Sequence, residues 1–185
     1  IMSEGADTMD IGRTILENYL PRSRLDAGSY GTMGVGTGQI LAFCMAHPDR
    51  KCVAVMGDAA FGFSGFEYET IVRYKLNALI IILNNNGIGG NPWQEEWGKD
   101  RDSAIKMRPT QRLPTNSYQK LSEVFGGRAW EVSTSEELEK QLPEAINMTE
   151  PGIFHIRINP RTTRKAQQFG FDPTNRAGRK AAAKL

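Results

Sequence analysis

The sequence predicts an α/β domain: a parallel sheet flanked by helices on both faces. Three observations carry that prediction. Lys51–Met56 and Ala78–Leu83 read as strands that are apolar on both sides, as in a sheet covered above and below. Strand-like and helix-like segments alternate along most of the chain. Both strands also run directly into concentrated polar chemistry, Gly57-Asp58 on one and Asn84-Asn85-Asn86-Gly87 on the other. Parallel sheets bind ligands at the carboxyl ends of their strands.

Each element has its own signal. Ile1-Met2-Ser3-Glu4 reads as the end of a strand entering a loop. Asp7 or Thr8 can cap a helix running to about Tyr19, which Pro21 then closes. Leu25 to Ala27 is a short extended piece before the glycine-rich run Gly28–Gly38, and a helix is expected from Met33 to Ala46. Ser64–Tyr74 reads as a helix between the two apolar strands. Asn91–Pro114 is a polar loop, too long to be only a connector. Asn116–Phe125 is expected helical and Ala129–Val132 a strand. Thr134 and Glu137 form a capping box for a helix to about Asn147, and Ile153–Ile158 is the last strand.

Composition narrows the function classes. The 185 residues carry 39% hydrophobic and 24% charged residues, ordinary globular usage that excludes a disordered, collagenous or coiled-coil chain. The longest apolar run, Ala78–Leu83, is too short to span a bilayer. Cys44 and Cys52 sit in apolar surroundings without a CxxC or histidine partner, so they read as buried small hydrophobes. The first residue is Ile rather than Met, which suggests a piece of a longer protein. From Arg157 to Leu185 there are eight basic residues and one acid, so residues 1–160 are expected to form the domain and 161–185 a basic tail. The tail lacks aromatic interleaving and any RNA-binding signature, so nucleic acid is not the expected partner.

The two strand ends together suggest a metal and phosphate site. Asp58 supplies a carboxylate, Asn85 an amide oxygen and Gly87 a backbone carbonyl in a turn. Three hard oxygens of this kind suit Mg²⁺, which takes a few protein oxygens beside phosphate and water. Ala59 and Ala60 follow at a strand-to-helix turn, where small side chains and free N–H groups let a phosphate approach.

Gly57-Asp58, then 25 intervening residues, then Asn84-Asn85 resembles the thiamine-diphosphate-binding motif. Ala59 replaces the motif's second glycine, as in the branch of oxalyl-CoA decarboxylases and 2-hydroxyacyl-CoA lyases. Ala60-Phe-Gly-Phe-Ser-Gly65, Glu67-x-Glu69-Thr70-Ile71 and Arg73-Tyr74 are similar to that branch, and the likeness runs from Glu4 to Phe169. It matches only the diphosphate-binding domain of those enzymes. The resemblance implies thiamine diphosphate and Mg²⁺ as cofactors, with Asp58, Asn85 and the Gly87 carbonyl on the metal and Gly57, Ala59, Ala60 and Ile88 among the cofactor-binding residues. Of these, Ala59 and Ala60 face the diphosphate, and Gly57 and Ile88 are implied only as cofactor-binding. The resemblance places the Gly31 carbonyl against the aminopyrimidine and Met33 as a prop for the bent cofactor. It assigns no catalytic residue to this chain, because the family's activating Glu lies in a separate N-terminal domain across a subunit interface. Glu67 and Glu69 are expected to lie outside the reacting centre.

The tail Thr162–Phe169 resembles the lyases more than the decarboxylases. The implied activity is cleavage of the carbon–carbon bond of 2-hydroxyacyl-CoA in a homo-oligomer. An oxalyl-CoA decarboxylase and a non-catalytic domain remain as alternatives. Arg164 and Lys165 are candidates for contacts to the CoA phosphates. Ala183-Lys184-Leu185 is a small-basic-Leu ending of the type read by the peroxisomal import receptor. Two positions depart from the branch, Gly89 where many relatives carry Tyr and Asp7 where Asn is usual; both are expected near the site. Gly34-Val-Gly36-Thr-Gly38 hints at a dinucleotide fingerprint, but Gln39 stands where the third glycine belongs and no long strand precedes it. His155, alternating with apolar neighbours, reads as structural.

Overall fold

A computed structural model describes residues 1–89 and 99–161. Six parallel strands form one sheet in the order β2-β1-β3-β4-β6-β5. They are β1 (Met2–Glu4), β2 (Leu25–Asp26), β3 (Cys52–Gly57), β4 (Ala78–Asn84), β5 (Arg128–Val132) and β6 (Gly152–Arg157). The helices are α1 (Ala6–Ile15), α2 (Gly36–Ala46), α3 (Asp58–Ser64), α4 (Tyr68–Arg73), α5 (Arg101–Ile105), α6 (Lys120–Phe125) and α7 (Ser135–Asn147).

The strict alternation of a strand splits the core into two layers. Cys52, Ala54, Met56, Ile80 and Ile82 face one way and pack with Ile40 and Cys44 of α2, Phe61 of α3, and Tyr68 and Ile71 of α4. Val53, Leu79, Ile81 and Phe154 face the other way, against Trp130 and against Leu138, Leu142 and Ala145 of α7. Both faces are therefore covered, as the apolar strands require. Cys44 and Cys52 are buried and free. Among the described residues no helix is long and apolar enough to cross a membrane.

Several boundaries differ from the sequence expectation. The first helix stops at Ile15, not Tyr19, and is not capped by Asp7 or Thr8: its N-cap is Gly5, without a side-chain bond. The chain must turn back so that Leu25 can pair with Met2, and Arg24 Nη1 donates to the Leu16 carbonyl at 2.6 Å to close the helix end. The helix expected from Met33 begins at Gly36, because Gly34 has φ +95° and cannot be helical. The helix expected from Ser64 instead starts at Asp58, directly on the strand end, and passes through a 3₁₀ turn at Gly65–Glu67 into α4. Gly62 and Gly65 hide that continuity in the sequence. The helix expected from Asn116 is α6, starting at Lys120, and the polar loop contains α5 with its Asp100–Ser103 capping box. Arg164, Lys165, Thr162–Phe169 and Ala183-Lys184-Leu185 lie outside the described residues, as do the loop positions 90–98.

The strand order reverses at β1: the chain crosses to β2 on one side and returns to β3 on the other. Ligands in open parallel sheets sit at the carboxyl ends beside such a reversal.

Candidate cofactor site

At that reversal β1 ends in Glu4-Gly5 and β3 ends in Gly57-Asp58, with Glu4 in register with Met56. A Cβ on Gly5 would stand 3.2 Å from the Gly57 nitrogen, and Gly5 has φ +96°; only glycine lets the two strand ends approach this closely. Between them and α1 lies a cavity of about 380 Å³, within the size range of small-molecule sites. Gly31, Met33, Gly57, Asp58, Ala59, Ala60, Asn85, Gly87 and Ile88 all line it. Nine positions singled out from three separate stretches of sequence thus share one cavity. Asp7 and Gly89, the two departures, line it too. Arg164 and Lys165 are outside the described residues.

Asp58 opens α3 and is 1% exposed. Burial pushes its carboxyl up to about 6, against the lowering effect of the Ala59 and Gly87 N–H groups and of the Arg112 charge. A carboxylate held in so dry a place gains from a cation beside it. Asn85 and Gly87 are in the next turn. There Asn86 takes φ +64°, a conformation Asn tolerates, and its N–H donates to Asn84 Oδ1 at 2.9 Å.

A second strand-like segment braces this turn. Gly87 bridges Gln111 in antiparallel fashion, Ile88 N–H donates to the Thr110 carbonyl at 2.9 Å, and Arg112 N–H donates to the Asn86 carbonyl at 3.0 Å. A Cβ on Gly87 would stand 2.2 Å from the Thr110 oxygen, so the brace requires glycine. Among the described residues no three His, Cys, Asp or Glu side chains cluster as a metal set. One carboxylate, one amide and one carbonyl instead make a donor set that fits Mg²⁺ carrying phosphate and water.

His155 has the structural place its pattern suggests. It is fully buried, with Nε2 3.0 Å from Asn84 Nδ2 and Nδ1 2.8 Å from Gln119 Oε1. A neutral ring that donates from Nδ1 and accepts at Nε2 satisfies both contacts. Gln119 passes the chain of bonds to Glu131, and Glu131 also accepts from Arg157. Arg157 in turn donates to the carbonyls of Pro114 (2.7 Å) and Asn116 (2.9 Å), at the end of the bracing segment. The network therefore joins the Asn84 turn to its brace from below.

Burial lowers the His155 pKa from 6.5 to about 4, and the nearby Arg157 charge acts the same way. Between those two values the unfolded chain binds a proton that the folded chain refuses. Stability consequently falls as pH falls through that window, by about 1.4 kcal/mol per unit for this group. Wild type and His155→Phe are expected to draw closer in urea midpoint from pH 7 to pH 4.5, by roughly 2 kcal/mol in unfolding free energy. A gap that does not change with pH would show that His155 is not held neutral.

A family model described as "Thiamine pyrophosphate enzyme, C-terminal TPP binding domain" matches residues 5–156. The chain is 46% identical over 178 residues to 2-hydroxyacyl-CoA lyase 1 from Homo sapiens, covering 91% of this chain and 31% of that protein. It is 39% identical over 160 residues to oxalyl-CoA decarboxylase from Escherichia coli (strain K12), covering 86% and 27%. Among solved structures, benzoylformate decarboxylase from Polynucleobacter necessarius has the same fold, with a TM-score of 0.69 at 18% identity over 89% of this chain and 30% of that one. The chain spans about three-tenths of the length of the curated relatives it matches.

Proposed function

The chain belongs to the family of C-terminal, thiamine pyrophosphate-binding domains of thiamine pyrophosphate enzymes, and from that premise we propose that it is the diphosphate- and Mg²⁺-holding part of a lyase that cleaves the carbon–carbon bond of 2-hydroxyacyl-CoA. The observation that supports this reading is the convergence of Gly31, Met33, Gly57–Ala60, Asn85, Gly87 and Ile88 on one cavity at the strand reversal. The lyase is preferred to the oxalyl-CoA decarboxylase because the identity to the lyase relative is higher, 46% against 39%.

When bound, thiamine diphosphate would supply the electron sink needed to break a carbon–carbon bond beside a carbonyl. Asp58, Asn85 and the Gly87 carbonyl would hold Mg²⁺, whose charge neutralises the diphosphate. Ala59 and Ala60, at the first turn of α3, would present small side chains to the diphosphate, and Ala60 its N–H group as well. The Gly31 carbonyl would accept from the aminopyrimidine, and Met33, at the same cavity, would prop the cofactor's two rings. The activating carboxylate would come from another domain across a subunit interface. Exposed apolar side chains such as Phe63, Phe66 and Ile15 suit a homo-oligomer. Arg164 and Lys165 would meet the CoA phosphates, and Ala183-Lys184-Leu185 would address the enzyme to peroxisomes.

The full-length enzyme, given thiamine diphosphate and Mg²⁺, is expected to cleave 2-hydroxyacyl-CoA at least tenfold faster than it decarboxylates oxalyl-CoA. The isolated 185 residues are expected to turn over neither. Preference for oxalyl-CoA would replace the substrate assignment, and turnover by the isolated chain would contradict the need for a second domain. Deleting the last three residues is expected to abolish peroxisomal import of a fluorescent fusion, in cells lacking any partner subunit, without changing purified-enzyme kinetics.

A further inference from the structure

Glu4 is a charged residue with no solvent exposure, at the end of a strand three residues long. Its carboxylate accepts from the Gly34 N–H with one oxygen and from the Gly36 N–H, at 2.8 Å, with the other. A Cβ on Gly36 would stand 2.2 Å from Glu4 Oε2, so the loop backbone lies directly on the acid. Helix α2 begins at Gly36 with no side-chain cap and no acidic residue in its first turn. Glu4, from 32 residues away, supplies the acceptor that the α2 N-terminus lacks.

The same short strand touches the other end of the site. Glu4 pairs in register with Met56, and the next residue, Gly5, abuts Gly57. A continuous rigid path therefore runs from Asp58 through the joined ends of β3 and β1 to Glu4, and from Glu4 to the loop that carries Gly31 and Met33. Among the described residues, the outer part of that loop is tied only to the β2 end, where Gly28 N–H donates to Asp26 Oδ1 at 2.8 Å and the Gly28 carbonyl accepts from Arg13 at 3.4 Å, while a Cβ on Gly28 or Gly31 would meet no atom within 4 Å. On the proposed cofactor reading, Asp58 and Met33 serve opposite ends of one ligand, the diphosphate and the rings. We propose that Glu4 is a positioning residue: its buried carboxylate clamps Gly34 and Gly36 to the end of β1 and sets the Gly31–Met33 loop relative to the Asp58 end of the cavity. The proposal rests on that reading for its functional half, whereas the clamp itself is a property of the protein without cofactor.

Helix α3 holds the start of α2 a second time, through Ser64 Oγ donating to Thr37 Oγ1 at 3.0 Å. Loss of the clamp is for that reason expected to loosen the loop rather than unfold the domain. In Glu4→Gln one accepting oxygen becomes an NH₂ that faces a backbone N–H.

The experiment uses the full-length protein. Amide exchange of the Gly34–Gly36 stretch, read without cofactor, is expected to quicken at least tenfold in Glu4→Gln. Affinity for thiamine diphosphate is expected to fall about tenfold, while affinity for inorganic pyrophosphate with Mg²⁺ changes less than threefold, because only the ring end is displaced. Glu4→Asp keeps the charge and both acceptors on a shorter stem and is expected to recover part of each loss. It also serves as the test variant should Glu4→Gln fail to fold. Wild-type exchange rates in the variants would overturn the clamp, whether or not cofactor binds. Equal losses for thiamine diphosphate and pyrophosphate would overturn the positioning role, since a purely structural residue weakens both together. Wild-type protein that binds pyrophosphate but not thiamine diphosphate would refute the cofactor reading and with it the positioning role, leaving the exchange measurement to decide the clamp.

Discussion

Replacing Asp58 with Ala in the full-length enzyme is expected to lower thiamine diphosphate affinity at least tenfold, about 1.4 kcal/mol. The loss follows from removing the one carboxylate among the three oxygens assigned to Mg²⁺, which leaves the diphosphate charge poorly neutralised. Asp58→Asn makes the test sharper. Burial moves the Asp58 pKa from 3.8 to about 6. Keeping it ionised at neutral pH therefore costs the ligand-free fold on the order of 3 kcal/mol at most. Removing the charge relieves that cost, partly offset by an amide NH₂ facing the Ala59 and Gly87 N–H groups. The ligand-free Asn variant is thus expected to stay within about 1 kcal/mol of wild type in urea unfolding, while cofactor affinity falls as in the Ala variant. Asp58 would be merely structural if the Asn variant lost several kcal/mol of stability and kept its cofactor affinity.

Gly87→Ala is expected to have the largest effect on the site's architecture. The new Cβ meets the Thr110 carbonyl oxygen at 2.2 Å, and φ +136° is a conformation that L side chains rarely adopt. Backbone strain of this kind costs about 1–3 kcal/mol, and the clash must displace either the turn or its brace. The expected result is a loss of about 3 kcal/mol in unfolding free energy together with weaker Mg²⁺ dependence of cofactor binding. A Gly87→Ala protein with wild-type stability and wild-type Mg²⁺ response would mean that the Thr110–Arg112 segment does not brace the turn.

Much of the fold was legible because β3 and β4 are unbroken apolar runs and α7 announces itself with the Thr134–Glu137 box, which the structure contains. Boundaries differ from the sequence expectation where distant residues decide them. The start of α2 follows the left-handed Gly34, whose N–H, like that of Gly36, donates to the distant Glu4, and the start of α3 follows from the chain leaving β3 directly into a helix across Gly62 and Gly65. Gly57, Asp58, Ala59, Ala60, Asn85 and Gly87 were legible because their chemistry is local, a carboxylate, an amide and small residues at strand ends, whereas Gly31, Met33 and Ile88 came only from the resemblance to the thiamine-diphosphate-binding motif. The residues that hold them in place were not. Glu4 meets Gly36 across 32 positions, His155 meets Asn84 across 71, and Gln119 meets His155 across 36. A lone acid closing an apolar strand just before Gly5 was the available signal for Glu4, and it was ambiguous without the partner backbone.

The most direct test is calorimetric titration of the full-length protein with thiamine diphosphate, with and without Mg²⁺, beside Asp58→Asn. Wild type is expected to show one saturable site per chain, strengthened at least tenfold by Mg²⁺, and the variant a Mg²⁺ effect of less than threefold. Binding that ignores Mg²⁺ in wild type, or an Asp58→Asn protein that responds to Mg²⁺ as wild type does, would contradict the metal assignment.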